Sequence, residues 1–370
     1  MKRSMKHLAP LYAKVASRVK PPVCIALGPP WPVAQLVRTI TMADVVCVQM
    51  DLHQAERLQD CLGELQASAQ VETVADLWDL PARFATVIFP AAAHSDRSLK
   101  LDIVEQAYHI LQPGGIFIVL SEYERDQVFG PWLKKLYGRY GATPASPEGM
   151  AIFATRSEKE RPRRRHEITF HARIGDGPSV QIVCQPGTFS YGRFDEGSRA
   201  MLEIAEIRPG DRVLDLGCGN GVVGCLAGLR VGTTGSVTFV DSNLRAIALA
   251  QRNASANQTP HPRFLAASRL QGLEPESFDV ILANPPYYAL TDMTRLFISG
   301  ARPLLAPGGR YYLVTKMPTA VVPIIFQTFG DCSIHENRGY SVISATRDKQ
   351  SSPRSKEAMG KKHLGPEPHP

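Results

Sequence analysis

Arg212-Val213-Leu214-Asp215-Leu216-Gly217-Cys218-Gly219-Asn220-Gly221 is the stretch that decides the fold of this 370-residue chain. A mostly apolar strand runs into a Gly-x-Gly-x-Gly loop, and the apolar stretch Val222 to Leu229 follows at helical length. Strand, glycine turn and helix open an α/β unit. Glycines let the chain reverse sharply and let a cofactor approach the backbone. The next strand, Ser236 to Val240, ends in Asp241-Ser242, where an acid can accept hydrogen bonds from two ribose hydroxyls. Asp215 is a candidate partner for a cationic amine. The glycine spacing falls short of the full dinucleotide pattern and no Walker lysine accompanies it, which favours a nucleoside-type ligand over a triphosphate.

The apolar run Phe278 to Ala283 has the length of a buried strand and is stopped by Asn284-Pro285-Pro286-Tyr287. Neither proline can donate to a ladder, so the chain leaves the sheet at a carboxyl end, the ligand-binding edge of an open parallel sheet. The Asn284 side-chain carbonyl and the Asn284 and Pro285 main-chain carbonyls can together accept both hydrogens of an amino group. An exocyclic amine on a nucleobase is a poor nucleophile. Accepting both hydrogens stabilises the positive charge that develops when it attacks. Tyr287 is placed to stack on a flat base.

Glycine loop, ribose acid and Asn-Pro-Pro-Tyr, on successive strands, resemble an S-adenosylmethionine-dependent methyltransferase acting on an amino nitrogen. Pro186-Gly187-Thr188-Phe189-Ser190-Tyr191-Gly192-Arg193-Phe194-Asp195-Glu196-Gly197-Ser198 is similar to the segment before the first strand in bacterial ribosomal-RNA guanine-N2 methyltransferases with two tandem domains. That family keeps the segment near its cofactor and substrate pocket, which makes Phe189, Ser190 and Asp195 further candidates. As a loop and helix start, the segment is equally explained by capping through Asp195 or Ser198. Many relatives carry an acid after the third strand to contact the cofactor's adenine amine. Here the stretch is Ala266-Ala267-Ser268-Arg269, leaving Ser268 for that bond.

The first part of the chain carries a similar order. Val23 to Leu27, Val45 to Met50, Ala85 to Phe89 and Ile116 to Leu120 read as strands, with helical periodicity over Gln54 to Leu65 and Leu101 to Ile110. Leu111-Gln112-Pro113-Gly114-Gly115 is a turn that returns as Leu305-Ala306-Pro307-Gly308-Gly309 before the strand Tyr311 to Val314. Pairing Gly28 with Gly217, Asp51 with Asp241 and Leu111 with Leu305 gives an offset of roughly 190 residues, a domain-sized duplication. The copies are chemically unequal. Gly28-Pro29-Pro30 replaces the glycine loop, and Phe89-Pro90-Ala91-Ala92 stands in place of Asn284-Pro285-Pro286-Tyr287. The first copy is expected to be degenerate, serving folding or substrate docking.

Between the copies Arg161, Arg163, Arg164 and Arg165 crowd a short basic run, readable as a solvated linker or as phosphate contacts. Glu167 to Arg173 and Ser179 to Cys184 alternate as a strand pair ahead of the second sheet. Beyond the corner, Asp292 to Ala301 and Ala320 to Phe329 read as helices, and Cys332 to His335 and Tyr340 to Thr346 as closing strands. From Asp348 the chain is polar, basic and expected to be disordered.

With 44% hydrophobic residues and no run long enough to span a bilayer, the sequence reads as a soluble two-domain protein. A formal charge of +7 permits a polyanionic partner. Seven cysteines without metal spacing suit a reducing compartment, and no metal is expected. Met1 to Lys20 lacks the apolar core of a secretory signal. An organellar transit reading of the acid-free start gives way to the strand at Val23, so the expected compartment is the cytoplasm.

The expectation is an α/β chain of two tandem Rossmann-like class I methyltransferase domains. Each has a mostly parallel sheet with an antiparallel closing strand: a degenerate copy over 1–156, a basic linker over 157–166, a catalytic domain over 167–347 and a tail over 348–370. The resemblance implies methyl transfer from S-adenosylmethionine to N2 of a guanine in ribosomal RNA, free or in a ribosomal subunit. Asn284, Pro285, Pro286 and Tyr287 would be catalytic, and Asp215, Gly217, Gly219, Gly221, Asp241, Ser242 and Ser268 would hold the cofactor. Phe189, Arg161, Arg163, Arg164 and Arg165 would meet the RNA. The same corner also serves adenine-N6 and protein glutamine-N5 methyltransferases, and a noncatalytic RNA-binding or assembly factor is the alternative of another class.

Overall fold

A computed structural model describes residues 8–42, 44–92, 96–285 and 292–349. Residues 286–291, which include Pro286 and Tyr287, and residues 350–370 of the tail lie outside it. The first unit runs α1 (Leu8–Ala13), β1 (Val23–Ala26), α2 (Pro30–Thr39), β2 (Val45–Gln49), α3 (Leu52–Glu64), β3 (Gln70–Thr73), β4 (Phe84–Ala91), α4 (Arg97–Ile110), β5 (Leu111–Ser121), α5 (Phe129–Tyr137), β6 (Gly141–Ala142) and β7 (Met150–Thr155). A hairpin, β8 (Ile168–Ala172) and β9 (Val180–Cys184), precedes α6 (Glu196–Ile204). The second unit follows as β10 (Arg212–Leu216), α7 (Val222–Val231), β11 (Ser236–Asp241), α8 (Leu244–Ala256), β12 (Pro262–Ala266), β13 (Phe278–Ala283), α9 (Asp292–Ser299), β14 (Leu305–Thr315), α10 (Pro318–Phe329), β15 (Ser333–Asn337) and β16 (Tyr340–Thr346).

The two sheets share one topology, β3-β2-β1-β4-β5-β7-β6 and β12-β11-β10-β13-β14-β16-β15. Five strands are parallel and the last two antiparallel. Strand order reverses between β10 and β13, the crevice where open α/β sheets bind ligands. The central strands are buried over most of their length, with apolar clusters on both faces of each sheet. This explains their near-continuous Val, Ile and Leu runs. Among the described residues no helix is long and apolar enough to cross a membrane.

Register refines two sequence expectations. The Pro-Gly-Gly segments expected as turns lie inside β5 and β14. Phe84 pairs with Leu111 and Thr86 with Ile116, while Phe278 pairs with Leu305 and Val280 with Arg310, so the extra residues bulge from each strand around Gly114 and Gly308 at positive φ. The alignment of the copies also shifts. Leu27 N donates to Val48 O as Gly217 N donates to Val240 O, which makes Leu27, at φ 60°, the counterpart of Gly217. Val74 N donates to Gln49 O as Ala267 N donates to Asp241 O. The counterpart of Asp241 is therefore Gln49, whose amide is tied to Gly28 O at 3.0 Å. Asp51 corresponds instead to Asn243, each capping the helix that follows its strand.

Those two caps meet. Leu52 N donates to Ser242 O and Leu244 N to Met50 O, joining the corners after β2 and β11 in an antiparallel bridge between Asp51 and Asn243. Beside it Arg245, 1% exposed, reaches from α8 into the first unit and contacts Asp76 at 2.7 Å, Asp102 at 2.8 Å and Ala75 O at 3.0 Å. The hairpin is held on α8 by Asn253, which accepts from Val183 N and donates to Val183 O.

Candidate active site

Leu216 and Ala283 are register partners, so Gly217 and Asn284 emerge side by side at the carboxyl edge of the second sheet. The cavity above them has a volume of about 570 Å³ and is lined by Gly217, Gly219, Asp241, Ser242, Ser268 and Asn284, among others. Gly219 N donates to Asp241 Oδ2 and Asn243 N to Asp241 Oδ1, both at 2.9 Å. These bonds hold the carboxylate at the end of β11. Burial nevertheless pushes Asp241 up to about 6, because desolvation outweighs the two amide donors.

Asn284 is oriented by residues far away in sequence. Its Nδ2 donates to Asp195 Oδ2 at 3.0 Å and to Ser198 Oγ at 2.9 Å. A carboxylate can only accept, so the amide nitrogen must face α6 and the carbonyl Oδ1 is what Asn284 presents toward the cavity. Asp195 also caps α6 through Ser198 N at 2.8 Å. The capping and functional readings of Asp195 are thus one arrangement. Phe189 is 55% exposed and lies on the cavity wall. Ser190 and Asp195 line a smaller recess behind the glycine loop, together with Asp215, Cys218 and Asn284.

Asp215 is fully desolvated and accepts from Gly224 N at 2.8 Å, and burial pushes it up to about 7. Gly221 starts α7 at φ 81°, where an added Cβ would come within 3.0 Å of Ala250; it serves packing at the back of the loop. Ser242 Oγ donates to Asp51 Oδ2 at 2.6 Å, so its hydroxyl is engaged with the first unit. Ser268 Oγ likewise donates to Glu56 Oε1 at 2.5 Å.

The linker arginines are gathered elsewhere, on the first unit. Arg161 lies over Tyr108, and Arg163 and Arg165 lie over Trp78, each 5.8–5.9 Å from the ring centroid. Arg161 and Arg164 line a second cavity of about 220 Å³ with Lys135, Trp132 and His166. Sequence reading missed the first unit's share of the main cavity. Asp51, His53, Gln54 and Arg57, at the start of α3, form one of its walls. No local pattern in α3 marks them, since their role arises from docking against another domain.

Residues 179–344 match the family model described as Methyltransferase small domain. That match takes in β9 and the second unit as far as β16. Over 147 residues the chain is 39% identical to the Ribosomal RNA large subunit methyltransferase G of Streptomyces avermitilis, covering 38% of each chain. It is 32% identical over 179 residues to the Ribosomal RNA small subunit methyltransferase C of Pseudomonas aeruginosa, covering 47% of this chain and 53% of that one. These matches span about half or less of the curated relatives' length. Among solved structures, the T. Thermophilus 16S rRNA N2 methyltransferase in complex with AdoMet and guanosine superposes with a TM-score of 0.70 at 20% identity, over 93% of this chain and 94% of that one. That likeness extends the methyltransferase fold to both tandem Rossmann-like units.

Proposed function

We propose that the protein transfers a methyl group from S-adenosylmethionine to the N2 amine of a guanine in ribosomal RNA, with residues 167–347 as the catalytic unit and 1–156 as a docking partner. The observation that carries this reading is the fixed amide of Asn284. With both its hydrogens given to Asp195 and Ser198, it offers an acceptor at the end of β13, beside the glycine loop. The named relatives act on ribosomal RNA, which favours an RNA base over a protein side chain as substrate.

The residues present fit the cofactor. Asp241 offers carboxylate lone pairs for ribose hydroxyls, Gly217 and Gly219 leave the backbone open to close approach, and Ser268 belongs to the cavity lining. Bound there, S-adenosylmethionine supplies an electrophilic methyl group. Asn284 Oδ1 and the neighbouring main-chain carbonyls accept the hydrogens of the incoming amine. They thereby orient its lone pair and stabilise the charge that grows on nitrogen. Tyr287, outside the described residues, is the base-stacking partner this reading assigns, and Phe189 stands at the cavity wall to guide a flipped base.

The test is transfer of labelled methyl from S-adenosylmethionine to ribosomal RNA and particles from cells lacking the protein, with the modified nucleoside identified by mass spectrometry. N2-methylguanosine is expected, and Asn284→Ala should lower the rate by about 100-fold or more while RNA binding persists. N6-methyladenosine, or label in protein alone, would replace the substrate. Full activity of the Asn284→Ala protein would remove the mechanism.

A further inference from the structure

The domain that lacks its own glycine loop touches the cavity at a telling point. Ser268 stands after β12, where an acceptor for the cofactor's adenine amine is expected, and is 4% exposed. Its hydroxyl hydrogen is given to Glu56 Oε1, on the second turn of α3 in the other domain. Glu56 is not free to drift. The start of α3 is fixed to the catalytic domain by Leu52 N donating to Ser242 O and by Ser242 Oγ donating to Asp51.

A serine hydroxyl has one hydrogen and two lone pairs and ordinarily rotates to suit either a donor or an acceptor. Once a carboxylate has taken the hydrogen, only lone pairs remain for the cavity. A 6-amino purine donates into such a group, whereas a 6-oxo purine presents oxygen against oxygen. We propose that Glu56 of the N-terminal domain sets the base specificity of the cofactor site, by holding the Ser268 hydroxyl as an acceptor for the exocyclic amine of adenine. Glu56 is a positioning residue and Ser268 the contact. The inference rests on the S-adenosylmethionine reading above, and it gives the degenerate copy a chemical task in the other copy's pocket.

Calorimetric titration of the full chain with S-adenosylhomocysteine and its 6-oxo counterpart S-inosylhomocysteine tests this. The unmodified protein should prefer the amine by about 10-fold or more, since a site built for a donor rejects the analogue lacking it. In Glu56→Ala the freed hydroxyl can turn and donate to the 6-oxo group, so the preference should fall to about 3-fold or less; Ser268→Ala should do the same. A purely structural role of Glu56 would weaken both ligands together, and an unchanged ratio in Glu56→Ala overturns the inference. Equal binding of both ligands by the unmodified protein also overturns it while sparing the cofactor reading. Failure to bind either ligand removes both.

Discussion

Replacing Arg245 by methionine keeps most of the side chain's apolar stem and removes its charge from the most buried ionic cluster between the domains. The guanidinium is 1% exposed and serves Asp76, Asp102 and the carbonyls of Ala75 and Pro186. Gln106 bridges the two carboxylates, donating to Asp102 at 2.7 Å and to Asp76 at 3.0 Å. It cannot replace a cation. Removing one partner of a buried pair costs about 3–5 kcal/mol, because the charge left behind is neither solvated nor paired. Burial already pushes the Asp102 carboxyl up, with Arg245 opposing, so in Arg245→Met it rises further. A carboxyl whose folded value lies above its unfolded one stabilises the protein at low pH and loses that contribution as pH rises. The deficit should therefore be largest near neutral pH and shrink toward pH 4. All three tryptophans, Trp31, Trp78 and Trp132, belong to the first unit, so urea unfolding followed by fluorescence reports that unit and circular dichroism reports both. Adding Asp76→Asn and Asp102→Asn should restore most of the loss. A deficit below about 1 kcal/mol, the range of an exposed pair, or one that does not change with pH, refutes the reasoning.

Two further predictions concern ligands. In the proposed function Asp241, pushed up to about 6 by burial, accepts from both ribose hydroxyls as the carboxylate, which the protonated form cannot do. Affinity for S-adenosylhomocysteine should then be about 10-fold weaker at pH 5 than at pH 8, following the competent fraction, and Asp241→Asn should bind weakly with a flat profile. In the ligand-free protein the same raised carboxyl works in the opposite sense, lowering stability as pH climbs from about 4 to 6. For RNA, exchanging Arg161, Arg163, Arg164 and Arg165 for glutamine should reduce the salt slope of binding by up to about 3 if all four meet single-stranded phosphates. An unchanged slope would leave them as stacking groups on Tyr108 and Trp78.

Much of the fold was legible because parallel strands buried on both faces read as unbroken apolar runs, and Phe278 to Ala283 or Val45 to Met50 has no competing reading. That the glycine loop and Asn284 meet at one sheet edge was legible because glycines and prolines impose backbone states that a sequence shows directly. What failed was the pairing of Asp51 with Asp241. An acid at the end of a strand can hold a ribose or cap the next helix, and only register separates the two roles. The partners Asp195–Asn284 and Glu56–Ser268 were hidden for a different reason: they join residues 89 and 212 positions apart, and no local pattern encodes such a contact.

That register also shows how the two copies are joined. The two domains face each other through equivalent corners, yet each corner receives something different. Into the first domain's corner goes Arg245, whose contact with Ala75 O meets the counterpart of Ser268. Into the second domain's corner comes α3, which leaves a cavity and supplies a wall to it. Gln49 stands in the first domain where the second has Asp241, and Leu27 where it has Gly217, and the guanidinium of Arg245 fills the corner beside them. Alongside it, α3 is tied over the second domain's cavity by the bonds from Leu52, Asp51 and Glu56 to Ser242 and Ser268. One interface thus fills the first domain's corner and walls the second domain's cavity, and under the proposed function Arg245→Met should weaken S-adenosylhomocysteine binding in calorimetric titration although Arg245 does not line that cavity.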